Sequence, residues 1–254
     1  NEGFLKYEHQ VENQINFVLA INKVSGEIEA LQGFIPYSKR TKGGHICGVI
    51  ACVAKSTKTP FLGIETLTRM KDMTQPDTYC GIGTNPKTMI PLVKKFLCHT
   101  TGKMQHFYRL NTRVLNYVIP IINNRPLIDK YGENRRQVGF EEIFLFEELV
   151  KKFDLSKSFK HLPRKEPWYI EKRYFRHPIY NYSFFLLRNN SRYVGLLIGR
   201  ELSLKNVKIF RFVDFIGKIN HLACIGKEIE NLFITRNYEY VDFLCSGIDP
   251  DILS

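Results

Sequence analysis

The sequence has no Cys-x-x-Cys pair, no Cys/His cluster at metal-ligand spacing, and no apolar run approaching the ~20 residues a membrane-spanning helix needs. The first two absences argue against a zinc site, and the third leaves no transmembrane candidate. No signal-peptide pattern opens the chain. The six cysteines (Cys47, Cys52, Cys80, Cys98, Cys224 and Cys245) sit singly, four of them inside apolar runs, so reduced thiols and a cytoplasmic location are expected. Acidic side chains are scarce too. There are 25 Asp and Glu against 37 Lys and Arg, a net charge of +12, which suits an anionic partner. Nucleic acid, an anionic membrane surface and a phosphate-bearing small molecule all fit that charge. Asn1 is not a start methionine and Ser254 follows a Gly-Ile-Asp-Pro turn, so a piece of a longer protein is expected.

What is present is the composition of a folded protein. At 254 residues the chain exceeds the usual single core, so one large or two small domains are expected. The chain is organised around residues 44–96. Residues 46–53 (ICGVIACV) are apolar, short and β-branched, and read as a central strand. A polar loop follows, and Pro60 leads into a helical period at Leu62, Glu65, Thr66 and Arg69. Residues 78–82 read as a second strand, and Asn85-Pro86 as the cap and first position of a helix over 87–96. A loop that opens a helix presents N–H groups without internal partners, and the helix dipole favours an anion there. With Lys55 and Lys58 adding charge, the stretch from Lys55 to Gly63 is a candidate phosphate site; an ordinary strand–helix connection fits the same residues.

Residues 7–14 read as an opening helix, and 15–20 with 28–35 as a hairpin around Ser25-Gly26. Residues 104–110 read as a strand, 114–122 as an apolar β-branched run, 123–126 as a turn, and 140–153 as a helix. Residues 155–167 look like a linker and the best domain boundary. The basic group 151–165, interleaved with Phe153, Phe159 and His161, reads either as a solvated linker or as a nucleic-acid surface. Beyond it we expect a helix at 168–175, a hairpin of 182–187 with 193–198, a strand at 207–215, a helix at 219–234 and a strand at 238–245. The two halves thus share an order of hairpin, strand, glycine-bearing loop, helix and strand. This order, rather than shared residues, predicts two similar α/β units.

The hairpin FVLAINKVSGEIEALQGFIP, the strand ICGVIACV and the stretch GIGTNPKTMIPLVKKFLCHTTGKMQHFYRLN resemble the GNAT superfamily of acyl-CoA-dependent acyltransferases. In particular they resemble members found among bacterial surface-polysaccharide genes. Residues 28–34 follow the family hairpin G-E-I-x-G-x-x-G, and Asn85, Leu92, Lys95 and Phe96 match N-x-x-A-x-x-L-Y-x-K-x-G-F. The second half more distantly resembles the second GNAT unit of tandem Fem-type aminoacyltransferases. The resemblance implies a mixed α+β fold of tandem GNAT-like units: a first domain at 1–112, connecting helices and linker at 113–167, and a divergent second domain at 168–254.

The resemblance also implies chemistry. The acyl-pantetheine arm of acetyl-CoA, or of another acyl-CoA, would lie where the central strand splays from its neighbour, on backbone groups of Cys52, Val53 and Lys55. The pyrophosphate would sit on Lys58, Thr59, Leu62 and Gly63, and Asn85 joins the cofactor set. The family phosphate loop R/Q-x-x-G-x-G/A appears here as K-T-P-F-L-G, in which Pro60 lacks a donor. The usual thiolate-protonating tyrosine falls at Val93, which leaves Tyr108 or Tyr37 for that role. Glu29 is a candidate base acting through water, or a solvent-facing strand carboxylate if Ile28 and Ala30 do not both face inward. His106 and Tyr108 alternate onto one strand face, with Arg109 on the other, as candidate catalytic and acceptor-side residues; a satisfied structural histidine is the other reading of His106. Asp214 and Asp242 are carboxylates inside aromatic strands, costly unless paired; Arg211 or Lys218 are available partners, and acceptor binding with Tyr37 is the other use. The implied acceptor is the amine of an amino sugar, free or nucleotide-linked, in surface-polysaccharide biosynthesis. A non-catalytic or Fem-like relative that binds RNA through its basic surface is the second reading, and a polysaccharide-assembly scaffold the third.

Overall fold

A computed structural model describes residues 2–40, 42–122, 137–159 and 161–253. The chain folds into two units: Asn1–Thr101 with His161–Tyr169, and Gly102–Lys160 with Ile170–Ser254.

The first unit opens with helix α1 (Glu2–His9) and a small ribbon of β1 (Gln10–Val11) and β2 (Gln14–Ile15), so the opening helix expected over 7–14 lies earlier in the chain and the ribbon takes the end of that stretch. Its sheet is β3 (Phe17–Ile21), β4 (Ile28–Pro36), β5 (His45–Val53) and β6 (Thr78–Gly81), in that order. Helix α2 (Leu62–Thr74) connects β5 to β6, and α3 (Met89–Leu97) follows. The β3–β4 and β4–β5 pairs are antiparallel, and β5–β6 is parallel, with α2 as the crossover between them. One face of the sheet packs Phe34 and Ile46 against Ile64, Leu67 and Met70 of α2 and Val93 of α3. These helix positions are the apolar stripe of a 3.6-residue period. Asn22 organises the β3–β4 turn: its side-chain oxygen accepts from the N–H of Val24 and Ser25.

The second unit holds a six-stranded sheet. In chain order its elements are β7 (Gln105–Leu110), β8 (Gly139–Ile143), α4 (Phe146–Lys152) and α5 (Leu155–Ser158). A short α6 (Pro167–Ile170) then continues into π-helical turns over Glu171–Phe175. Strands β9 (Ser183–Asn189), β10 (Arg192–Leu204) and β11 (Val207–Gly217) form a meander, followed by a 3-10 helix (Ile219–Cys224), α7 (Gly226–Arg236), β12 (Tyr240–Cys245) and α8 (Pro250–Leu253). The sheet order is β7-β12-β11-β10-β9-β8. Only β11–β12 is parallel, again with a helix as the crossover. Its core gathers Phe185, Leu187, Leu197, Phe210, Phe212 and Val241 under Leu222, Ile225, Leu232 and Phe233.

Several expectations change. Strand 104–110, assigned by sequence to the first half, pairs with β12 in the second sheet, so this strand lies outside the first unit. The helix predicted over 140–153 divides: Gly139–Ile143 is an edge strand on β9, and only Phe146–Lys152 is helical. Helical spacing and edge-strand burial coincide there, because Ile143 and Leu149 are both fully buried. The helix predicted over 219–234 breaks at Ile225-Gly226, where Ile225 turns into the core. The helix predicted from 87 starts at Met89, after a turn that Asn85 caps. The linker 155–167 carries α5 and contributes 161–169 to the first unit. Turn 123–126 lies outside the described residues.

Residues 114–122 form no strand; they lie against Leu110, Ile209 and Tyr240. Glu239, 1% exposed, accepts hydrogen bonds from the N–H of Val118 and of Ile119, the latter at 3.1 Å. Removing that carboxylate leaves two part-buried donors without an acceptor. We therefore expect Glu239→Ala to cost about 3 kcal/mol, read as a lower urea midpoint at unchanged m-value. An unchanged midpoint would show that water replaces the carboxylate at no cost.

Among the described residues, no helix is long and apolar enough to cross a membrane.

Candidate active site: two forks in parallel strand pairs

In the first unit, β5 pairs with β6 from His45↔Thr78 to Gly48↔Gly81 and then runs on to Val53 without it. On its other edge β5 stays paired with β4 through Val53↔Ala30. The β4–β5 register slips between Gly33↔Ile50 and Phe34↔Gly48, which makes Val49 a bulge residue at the first position past the fork. Beyond it every second residue of β5 turns its N–H and C=O away from β4, toward the side β6 has left. This end is exposed: Val49 is 42% and Val53 46% accessible.

The second unit repeats the device. β11 pairs with β12 from Phe210↔Val241 to Phe212↔Phe243 and then runs on to Gly217 without it, still paired with β10. Its register with β10 slips between Gly199↔Phe212 and Ile198↔Asp214, so Val213 is the bulge, again one position past the last parallel pair. The next α-helix begins at the same distance along the chain in both units, from Val49 to Leu62 and from Val213 to Gly226.

The helix starts differ. At α2 the cap residue Phe61 lies in the left-handed region (φ 58°), where a bulky side chain is strained, and no side chain caps the helix. Ile64 and Glu65 donate back to the Phe61 carbonyl, while the N–H groups of Leu62 and Gly63 meet no acceptor among the described residues. Lys55, Lys58 and Thr59 lie exposed on the preceding loop. At α7, by contrast, Ile225 is buried and the Lys227 N–H donates to the side-chain oxygen of Gln137 at 3.4 Å. The first helix start is thus open to an anion, and the second is covered by its own chain.

Of the predicted cofactor residues, Cys52, Val53, Lys55, Lys58, Thr59, Leu62 and Gly63 line one continuous strand–loop–helix path. Ala54 within it is occupied: its N–H donates to the Glu29 carbonyl (2.7 Å) and its own carbonyl accepts from Thr57. Asn85 spends its carboxamide oxygen on the N–H of Lys87 (2.9 Å) and Thr88 (3.3 Å), leaving its NH2 for a ligand. Glu29 accepts from Asn22 at 3.1 Å, which ties it to the hairpin turn. Ala30 faces the core, whereas Ile28 beside the β3–β4 register slip is 52% exposed, so the inward alternation stops at Ala30. Tyr37 is buried, edge-on to Tyr169, with its hydroxyl 3.9 Å from Cys80 Sγ. Burial, ahead of the neighbouring thiols, pushes its phenol far above the usual range.

The fork of the second unit holds the titratable groups. Asp242 on β12, fully buried, takes Arg211 Nε on one oxygen (2.9 Å) and the Arg211 terminal nitrogen on the other (2.6 Å). His106 Nε2 meets the second oxygen at 2.9 Å, its side chain half-exposed. The hydrogen bond to Asp242 and the burial of the acid fix the imidazole in place and leave its other nitrogen available. Arg211 is raised by that same carboxylate. Tyr108, 60% exposed, stands opposite Asp242 in register. Strand register extends the row to Arg200, paired with Arg211 on β10. The Arg200 guanidinium stacks 4.5 Å from the Tyr180 ring, and its Nε has no partner among the described residues. Asp214, next after the bulge, accepts from the Tyr174 hydroxyl at 2.9 Å.

The sequence thus named His106, Tyr108 and Asp242 but assigned them to different halves; the sheet brings them together. Arg200 is the residue that sequence reasoning missed, and a cation inside RYVGLLIGRELSL is its one sequence signal. The basic group around residue 151 offers less to nucleic acid than its composition predicts. Phe153 is buried in the core, and Lys152 is committed to Glu141 and Glu148, each at 2.6 Å.

A mixed sheet, a bulge, a splayed parallel pair and a helix start beside the gap define the architecture: the chain has the GNAT fold. Among solved structures it is similar to the GCN5-related N-acetyltransferase from Anabaena variabilis, with a TM-score of 0.57 at 14% identity, over 98% of this chain and 59% of that one. The chain therefore spans less than two thirds of that protein's length. It is also similar to the GCN5-related N-acetyltransferase from Sphaerobacter thermophilus, with a TM-score of 0.43 at 12% identity, over 98% of this chain and 78% of that one. No family model matches the sequence, and no curated protein does.

Proposed function

We propose that this protein transfers an acyl group from a CoA thioester, acetyl-CoA being the simplest, to an amine. The observation that carries the reading is the open fork of the first unit. A strand edge freed by the bulge at Val49 runs directly into a helix start whose Leu62 and Gly63 N–H groups lack acceptors among the described residues. A pantetheine arm is a chain of amides and suits a free strand edge; a pyrophosphate suits a helix start flanked by Lys55 and Lys58. When bound there, the thioester supplies the activated acyl carbon. Cys52, Val53 and Lys55 hold its arm, and Lys58, Thr59, Leu62 and Gly63 hold its phosphates, with Asn85 adding its NH2.

Within the second unit, His106, held by Asp242, is the candidate proton acceptor for an amine, and Tyr108, opposite Asp242 in register, the candidate acid. Arg200 and Arg211 are paired residues of β10 and β11. With Arg211 held by Asp242, it is the Arg200 guanidinium that suits a phosphate of a nucleotide-linked amino sugar as acceptor, the acceptor that would give the protein a role in surface-polysaccharide assembly. A cytoplasmic location agrees with thiols that are all free.

The net charge of +12 supports a second reading, an RNA-binding relative that transfers no acyl group. Calorimetric titration with acetyl-CoA separates the two. Micromolar binding that Gly63→Trp abolishes is the expected result, since even a Cβ at Gly63 stands 3.0 Å from Val53 Cγ2. No heat with any acyl-CoA, together with RNA affinity that falls steeply with salt, would replace the acyltransferase reading by the second one.

A further inference from the structure

The position that Arg211 and Asp242 occupy in the second fork, the last pair but one, is held in the first fork by Cys47 and Cys80. Both pairs lie on the sheet face opposite the crossover helix, because Ile46 and Tyr79, like Phe210 and Val241, point to the helix side. In-register residues on neighbouring strands are about 4.8 Å apart, inside the separation that a disulfide tolerates. Both thiols are free, Cys47 buried and Cys80 partly accessible. Neither belongs to the cofactor path.

We propose that Cys47 and Cys80 are an oxidation site: a peroxide converts them to a reversible disulfide that ties β5 to β6 one residue before they part. Cys80 is the sulfur that reacts first. Its Sγ lies 3.9 Å from the Tyr37 hydroxyl and 3.6 Å from the Ile46 carbonyl, and the Lys165 ammonium stands 5.8 Å from the centre of the same Tyr37 ring. The hydrogen bond from Cys47, with help from Tyr37 and Lys165, brings the Cys80 thiol down to about 7 against its burial, while Cys47 is driven up and keeps its proton. A thiol held below its ordinary range gives up its proton more readily to form the thiolate, the nucleophilic form.

The chemistry balances. The Cys80 thiolate attacks one peroxide oxygen, an S–O bond forms, the O–O bond breaks and hydroxide leaves to become water. Cys47 sulfur then attacks Cys80 sulfur; the S–S bond forms, the S–O bond breaks, and the departing hydroxide takes the Cys47 proton. Two thiols and one hydrogen peroxide give one disulfide and two waters, with sulfur oxidised and peroxide reduced. A bridge between directly opposed strand residues must draw the side chains closer than the strand spacing, and such bridges are easily reduced.

The test uses the full chain carrying Cys52→Ser and Cys98→Ser, which removes the two exposed thiols, treated with hydrogen peroxide. The expected result is a mass loss of about 2 Da, a Cys47–Cys80 linked peptide, and full reversal by dithiothreitol. In Cys47→Ser of the same background, Cys80 should instead be trapped by dimedone as a sulfenic acid. The proposal is overturned if Cys80 proceeds to sulfinic acid with Cys47 still free, if a different pair is linked, or if both thiols survive peroxide that oxidises glutathione in the same tube.

Discussion

Replacing His106 by Gln should lower kcat for acyl transfer by about a hundred- to ten-thousandfold while leaving the KM for acyl-CoA unchanged. The split between the two constants is the informative part. His106 belongs to the second unit's sheet, in a row of Tyr108, Asp242, Arg211 and Arg200 built by strand register, and the residues assigned to the cofactor lie along β5 and α2. A proton acceptor contributes in the transition state, where the ammonium has lost its charge, and adds nothing to ground-state binding of the thioester. Gln keeps the bulk and a hydrogen bond to Asp242 but takes up no proton. Steady-state kinetics with a saturating amine acceptor makes the measurement. An undiminished kcat would remove His106 from the chemistry, and a raised KM with unchanged kcat would make it a binding residue.

Removing the carboxylate beneath it should act on stability. Asp242→Ala is expected to cost about 3 kcal/mol, at the lower end for a broken buried ion pair. The aspartate side chain is fully buried, so alanine leaves Arg211 facing a cavity with neither Nε nor the terminal nitrogen satisfied. The arginine retains 35% exposure, which lets water recover part of the loss and keeps the cost from the top of the range. Replacing both partners by apolar residues, Arg211→Met with Asp242→Leu, should restore most of the stability, because no charge is then left unpaired. Urea unfolding of the single and double variants reads both. A double variant no more stable than the single one would mean that the pair's geometry, rather than its charge balance, holds β11 to β12 at the fork.

The sequence carried much of this fold. Its alternation and turn chemistry place the hairpin of β9 and β10 around Asn190, and the apolar run ICGVIACV is a central strand because it is short, β-branched and followed by polar residues. The open helix start after it was legible for the same reason: Pro60 and the apolar period from Leu62 mark where a helix begins, and a helix beginning has free N–H groups wherever it occurs. The bulges at Val49 and Val213 were not legible. Each is a slip between two strands, and no single strand's pattern reports its partner's register.

The pairing of β7 was equally hidden. MQHFYRL reads as a strand in any sheet, and its aromatic and polar residues suit either half. Whether His106 meets Asp242 depends on a strand 136 residues away in the chain. Local sequence therefore determined where most strands and helices lie, where an anion can find unpaired N–H groups, and which carboxylates need a partner. The tertiary structure alone decided which strand edges stay free, which cysteines face each other, and that a histidine, a buried aspartate and two arginines form one row. Those are properties of register and sheet order, set by long-range hydrogen bonding between strands that do not neighbour one another in sequence.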